Sequence, residues 1–595
     1  MISLWRGATV FLLACGLLAH TARAQDVVVP PETARRDGPG AAPVAVPADI
    51  EAGAPAPQPA PQNAWAGVIA GEVAALASSS SLSDAALKAH YASGDALLWV
   101  GETGALPRVK DVAAELARAG DYGLEANAYA VPALLSDGAS QASPAQIEYQ
   151  LSHAVLAYVR DAWGARSAGG KLGSQLSDPP NLPEPAAIMA GLRASSERAA
   201  YLRAQHPVHP QFAALRRQLA KLAKSGAQTA KTKIPDGPVL RRGDANPQVA
   251  LLRTRLGLNA GDEEQSFDDG LEAALKAFQK ENGLAADGVV GAGTRAALNA
   301  DTPDKQRYQL LLNMERWRWL PRPLDGGAKI YVWANIPEFR TRVVKEGKIA
   351  FDERAIAGKV DKQTPVFSDQ IEWIEIHPTW YVPNSIKVDD ILPSLRRNTS
   401  RIMTRYHLRM DCGRHGSDPA RVDWNSVDIR TCAFSQPPGE KSVLGDFKFK
   451  FPNKHDVYMH DTLTRRLFKA SPRTFSHGCI RVQNPRRMAA VLLDHDKGFG
   501  ADRLDAILAG PKRLHKEVFK QPVPVHITYF TASVDETGAI AFHPDYYGHD
   551  KRLANALYGK GNLFPVARAP GRRASKPRPK PFVPKKEWWE EAMQN

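Results

Sequence analysis

Cysteine is the rarest residue in this chain, with four among 595: Cys15, Cys412, Cys432 and Cys479. No zinc-finger spacing is present, and neither an RNP-like aromatic motif nor a helix-turn-helix pattern accompanies the positive charge. The excess of 77 Lys and Arg over 63 Asp and Glu, a formal +14, therefore lacks the motifs of a nucleic-acid binder. An acidic, carboxylate-bearing polymer is the other anionic partner that suits it. The chain also lacks Ser-x-x-Lys and Gly-x-Ser-x-Gly, so the familiar serine nucleophiles of acyl transfer are missing. Beyond the N-terminus no stretch is long and apolar enough to be a transmembrane helix.

Arg6, the apolar run from Ala8 to Leu18 and the small-x-small site Ala22-Arg23-Ala24 read as a secretory signal peptide over residues 1–24, expected to leave with Cys15. Lipidation at Cys15, after Leu12-Leu13-Ala14, is the alternative. Of the three remaining cysteines one pair at most can bridge. Cys412 and Cys432 bracket one polar segment punctuated by Gly and Pro and are the expected pair, two unpaired buried thiols being the other reading. Cys479 is then a free thiol.

The length predicts several domains. Residues 25–64 are rich in Pro and Ala and read as a semi-extended linker or plain disorder. Residues 65–235 carry helical periods, at Val109–Ala119, Tyr149–Arg160 and Phe212–Leu222, and predict an all-helical scaffold. Residues 236–302 hold three short helices: Val249–Leu258, Ala273–Leu284, and Thr294–Leu298 with Thr294 as N-terminal cap. Through Ala277-Phe278-Gln279, Gly283-Leu284, Asp287-Gly288 and Gly291 this segment resembles a peptidoglycan-binding module, the alternative being a spacer that binds nothing. A connecting helix (303–327) leads to β-branched, alternating runs such as Lys329–Ile336 and Ile371–Ile376, which predict a mostly β domain over 328–508. A helical, Arg-rich insertion at about 384–441 reads as a mobile cap. Residues 509–564 form a strand and helix extension, with one strand expected over Val525–Val534, and 565–595 a basic tail.

The candidate chemistry lies at Ser476-His477-Gly478-Cys479-Ile480-Arg481. His460 ends the run Asp456-Val457-Tyr458-Met459-His460, in which strand alternation puts Asp456, Tyr458 and His460 on one face. A histidine or cation beside a thiol lowers its pKa, so thiolate is expected near neutrality, with His460 as base. Its second ring nitrogen is expected to find a backbone carbonyl or Asp461. Amides of Gly478 and Cys479 are candidate oxyanion donors, Ser476 and His477 candidate braces for the loop, and Arg481 a candidate grip for a substrate carboxylate. A zinc site of His455, His460, His477 and Cys479 is the competing reading, although its spacing matches no familiar framework.

Ser-His-Gly-Cys-Ile-Arg-Val, with a histidine nineteen residues before the cysteine, resembles the L,D-transpeptidase catalytic domain. Met459-His460-Asp461-Thr462, Phe451-Pro-Asn-Lys, Asn313-Met-Glu-Arg-Trp-Arg-Trp and Thr364-Pro-Val-Phe-Ser are similar to its large Gram-negative murein-crosslinking branch. The resemblance implies a multidomain α+β fold: a mostly β catalytic domain with an inserted capping subdomain, an all-α scaffold and a three-helix peptidoglycan-binding module. It implies Cys479 as nucleophile, His460 as proton acceptor, and no metal or organic cofactor. The partners implied are a tetrapeptide donor stem and a diaminopimelate acceptor in the periplasm, with carbapenems as acylating inhibitors. Hydrolysis of the same acyl-enzyme, attachment of a protein amine, and a non-catalytic wall-binding scaffold are the alternatives.

Overall fold

The computed structural model describes residues 64–564, except 78–80, 93–96, 132–141, 168–171, 174, 177–179, 225–233, 259–264, 282–285, 301–302 and 398. The signal peptide, Cys15, most of the Pro/Ala-rich linker and the basic tail lie outside the described residues. No described helix is long and apolar enough to cross a membrane.

The mostly β region is a nine-stranded sheet: β1 (Ile330–Asn335), β2 (Arg340–Lys345), β3 (Lys348–Gly358), β4 (Phe367–Ile376), β5 (Phe447–Lys450), β6 (Met459–His460), β7 (Thr474–Ser476), β8 (Ile480–Val482) and β9 (His515–Thr528). Their order is β7-β3-β8-β6-β5-β4-β9-β1-β2, and β2 pairs again with β3, so the sheet closes on itself. All six residues of β1 are buried: Ile330, Val332 and Ala334 face the core of the closed sheet, while Tyr331 and Trp333 on the other face pack with Met314, Trp317 and Phe530. The core is lined by Val332, Phe351, Ile374, Phe449, Met459, Ile480 and Val525, covered by the helix Pro485–Lys497 through Met488, Leu492 and Leu493.

Two boundaries differ from the sequence reading. β9 pairs with β4 and with β1, so the sheet runs on to Thr528, past the expected end at 508. The strand expected over Val525–Val534 is broken after Thr528, and Ala532–Val534 pairs instead with Ile540–Phe542. Asn313 and Asn335 cause the break: their carboxamides accept from the amides of Thr531 and Phe530, which a continuing ladder would otherwise engage.

The cap is wider than expected. Trp380–Tyr381 pairs with Ala433–Gln436, which pairs with Arg409–Asp411, so the subdomain begins before Asn384. Its own core holds Ile391, Leu395, Trp424, Phe434 and Leu444. Cys412 and Cys432 are bonded as a disulfide just beyond the paired residues Asp411 and Ala433.

The scaffold is helical, centred on Pro144–Ala162, whose start is fixed by a capping box between Ser143 and Gln146. In the three-helix module, helices span Pro247–Arg255, Asp269–Glu281 and Ala292–Ala300. Thr294 therefore lies inside its helix rather than capping it; its hydroxyl donates to the Val289 carbonyl at 2.9 Å. Gln279 is fully buried, donating to Asp287 at 2.8 Å and accepting from the Gly288 amide at 2.9 Å. These residues, which carry the module's resemblance, staple its own loop.

The helix Pro303–Arg318 joins the scaffold to the sheet and to the C-terminal extension. Its Leu311, Met314 and Trp317 pack with Phe212 and Leu215 of the scaffold, Trp333 of β1, and Phe530. The Glu315 carboxylate, fully buried, meets Arg166 of the scaffold at 3.0 Å and Arg318 at 3.2 Å.

Candidate active site

β6 and β8 run parallel, with Met459 opposite Ile480 and His460 opposite Arg481. Met459 turns into the core, so Tyr458 and His460 turn the other way, into a cavity of about 400 Å³ between the sheet and the cap. Cys479, His460, Ser476, His477, Arg481 and Tyr458 all line it, facing Trp380, Asn384, Asp390 and Tyr406 of the cap. The structure thus brings Cys479, His460, Ser476, His477 and Arg481 to one cavity, whereas Asp461 is not among its lining residues and Gly478 shapes the turn behind them.

That turn is held from within. The Ser476 hydroxyl donates to the Cys479 carbonyl at 2.5 Å and accepts from the Gly478 amide at 3.2 Å. Gly478 adopts φ +115°, which a side chain rarely does. The Gly478 N–H, one of the two candidate oxyanion donors, is engaged by Ser476. The Cys479 N–H has no hydrogen-bond partner among the described residues and stays available.

The electrostatics also depart from expectation. Burial pushes the Cys479 thiol above its usual pKa, and the Tyr458 hydrogen bonds and the Lys448 and Lys450 ammonium groups only partly offset it. Burial, then the nearby Arg481, lowers the His460 imidazole to about 3; the Asp461 carbonyl pulls the other way, too weakly to reverse the shift. The resting pair is neutral thiol and neutral imidazole, not the preformed thiolate that proximity to a histidine suggested, because desolvation outweighs charge attraction here. Nδ1 of His460 is buried and forms no hydrogen bond among the described residues. The Asp461 carboxylate does not serve it: it accepts from the amides of Thr462 at 2.7 Å and Asp446 at 3.1 Å.

His477 Nε2 lies 3.0 Å from Asp390 of the cap, and Lys362 bonds the neighbouring Asp389. Both carboxylates sit on a single π-helical turn, Lys387–Ile391, inside an otherwise α-helical run. Arg481 is buried, donates to Thr464 at 3.1 Å, and stays cationic although burial lowers it to about 10. No group of three or more His, Cys, Asp or Glu among the described residues is placed to hold a metal ion, so the zinc reading has no ligand set.

Tyr458 is the residue that sequence reasoning passed over. Its hydroxyl interacts with the Cys479 thiol, and burial, reinforced by that thiol, raises its pKa well above normal, so it keeps its proton. The strand alternation had already placed it on the face of His460.

Residues 329–499 match the L,D-transpeptidase catalytic domain family. That span contains Cys479, His460 and the closed sheet around them. Over that span the chain is similar to the L,D-transpeptidase catalytic domain. Residues 85–219 match a scaffold domain and residues 250–298 a peptidoglycan-binding domain. A Haemophilus influenzae protein named "Putative L,D-transpeptidase" is 29% identical over 245 residues, which are 41% of this chain and 48% of that one. The match thus spans about half the length of that curated relative. Solved L,D-transpeptidase structures from Xylanimonas cellulosilytica (18% identity, TM-score 0.16) and Stackebrandtia nassauensis (15%, 0.15) each align with 49% of this chain, and with 99% and 97% of their own. At those TM-scores the fold description rests on the strand pairing given above.

Proposed function

We propose that the protein is a periplasmic murein L,D-transpeptidase that forms 3→3 crosslinks through a thioester on Cys479. In the first step the Cys479 sulfur attacks the carbonyl of the third-position diamino acid in a tetrapeptide stem. His460, neutral at physiological pH, takes the thiol proton as the S–C bond forms. The developing oxyanion is met by the Cys479 N–H, with the protonated Tyr458 hydroxyl as a second donor. The C–N bond to the terminal D-alanine breaks, and the leaving nitrogen receives the proton from His460. The side-chain amine of a diaminopimelate on a second stem then attacks the thioester, gives its proton to His460 and returns the thiol. Arg481, cationic on the cavity wall, suits a stem carboxylate.

The observation that carries this reading is the delivery of His460 and Cys479 by adjacent parallel strands to one cavity wall within the matched domain. Purified protein incubated with disaccharide-tetrapeptide should release D-alanine and form stem dimers, and Cys479→Ala should do neither. Retained crosslinking in that variant would sink the mechanism; D-alanine release without dimers would assign the protein as a carboxypeptidase instead.

A further inference from the structure

The loop Lys359–Val366 lies behind the nucleophile turn and has no part in the chemistry above, yet it is built with unusual tightness. An added Cβ at Gly358 would fall 2.1 Å from the Lys362 carbonyl oxygen and 2.8 Å from the Thr364 amide, so only glycine fits where the loop folds back. The fold-back places the fully buried Thr364 hydroxyl between two backbones. It accepts from the Gly358 amide at 2.9 Å and donates to the Gly478 carbonyl at 2.7 Å. A second brace comes from outside the matched catalytic domain: the Tyr547 hydroxyl donates to the Gly358 carbonyl at 2.6 Å. Tyr547 is held in turn by the Tyr529 hydroxyl, which accepts from the Tyr547 amide at 2.7 Å and donates to Asp545 at 2.9 Å.

The Gly478 carbonyl and the Cys479 N–H belong to one peptide plane, and in a trans peptide they point in opposite directions. A hydroxyl that fixes the carbonyl on the side of the Lys359–Val366 loop therefore fixes the N–H on the cavity side. With φ at +115°, Gly478 has little steric preference of its own to hold that plane. Without the Thr364 bond the plane is free to rotate, and the Cys479 N–H loses its aim.

We infer that Thr364, backed by Tyr547 of the C-terminal extension, is a positioning residue that aims the Cys479 N–H at the oxyanion. This rests on the transpeptidase reading for its substrate, but the geometry applies to any acyl donor that Cys479 attacks. The extension is then part of the working site, and the matched domain alone would lack the outer half of the brace.

The test compares acylation with alkylation at Cys479 in the full chain, by intact-protein mass spectrometry. Acylation, by tetrapeptide donor or by p-nitrophenyl acetate, passes through an oxyanion; alkylation by iodoacetamide does not. Thr364→Val should slow acylation at least tenfold at saturating donor while leaving alkylation within twofold of wild type. Thr364→Ser, which restores the hydroxyl, should recover most of that loss, and Tyr547→Phe should lose several-fold. If Thr364→Val fails to fold, Tyr547→Phe carries the same comparison. Acylation at the wild-type rate in the hydroxyl-less variants overturns the inference, and so does a parallel fall in alkylation, which marks a merely displaced loop. A wild-type protein that reacts with p-nitrophenyl acetate but not with tetrapeptide would refute the transpeptidase reading, and the ester series would still decide the role of Thr364.

Discussion

His460 and Cys479 show how far a residue pair can be read from sequence, and where such reading stops. Strand alternation and the Ser-His-Gly-Cys run identified both residues, because side-chain direction in a strand is a local property. Their protonation states were not legible, because desolvation depends on what the cap and the sheet exclude together. The consequence is measurable. With the thiol above its usual value and the imidazole at about 3, iodoacetamide alkylation of the resting enzyme should be slow at pH 7 and rise steadily past pH 9. Turnover should stay level from about pH 5 to 8, since neither group titrates there, and fail only as acid protonates His460. An alkylation rate already at plateau by pH 5 would mean a thiolate–imidazolium pair and contradict the neutral resting state. Tyr458→Phe should cut turnover about tenfold or more while leaving the thiol reactive, as read by single-turnover acylation beside alkylation.

At the scale of elements, the cap is where sequence and structure diverge most. Its helices were legible from their periodicity, but its sheet was not, since Trp380–Tyr381 and Arg409–Asp411 are too short to show a pattern. The closure of the nine-stranded sheet was equally hidden: β2 and β3 form a local hairpin, but the pairings of β3 with β8 and of β9 with β1 and β4 that complete it are non-local. The disulfide joins the two cap strands next to one another, closing a separation of 20 residues. In the loop-entropy account a bridge of that span contributes about 3 kcal/mol. Replacing both Cys412 and Cys432 with alanine should lower cap stability by about that amount. Limited proteolysis is the suitable readout: cleavage should move into residues 384–441 while the sheet stays resistant. Cleavage unchanged from wild type would show that the cap core holds without the bridge.

For the whole molecule, the helix Pro303–Arg318 makes the scaffold, the sheet and the C-terminal extension one mechanical unit. Its aromatic end was visible in the sequence; that Glu315 would anchor Arg166, 149 residues away, was not. Glu315→Ala leaves two buried guanidinium groups without their shared carboxylate, which typically costs about 3–5 kcal/mol. Chemical denaturation should therefore show a lower midpoint for both the scaffold and the catalytic sheet in that variant. A scaffold transition that shifts alone would mean the helix does not couple them. The three-helix module is different: its own core of Leu240, Leu252, Phe267, Leu271 and Leu298 closes within the module.

The parallel pairing of β6 with β8 has a consequence for how such a site can diversify. Two parallel neighbours cannot be joined by a tight turn, so a crossover must carry the chain from His460 to Cys479. The register, Met459 to Ile480 and His460 to Arg481, sets the base against the nucleophile whatever the length of that crossover. Its exposed stretch around Lys469 and Ser471 can lengthen, shorten or acquire new contacts without altering the reach of the imidazole. The nineteen-residue spacing between the two is thus incidental to the geometry, while the sheet register is what keeps the pair together.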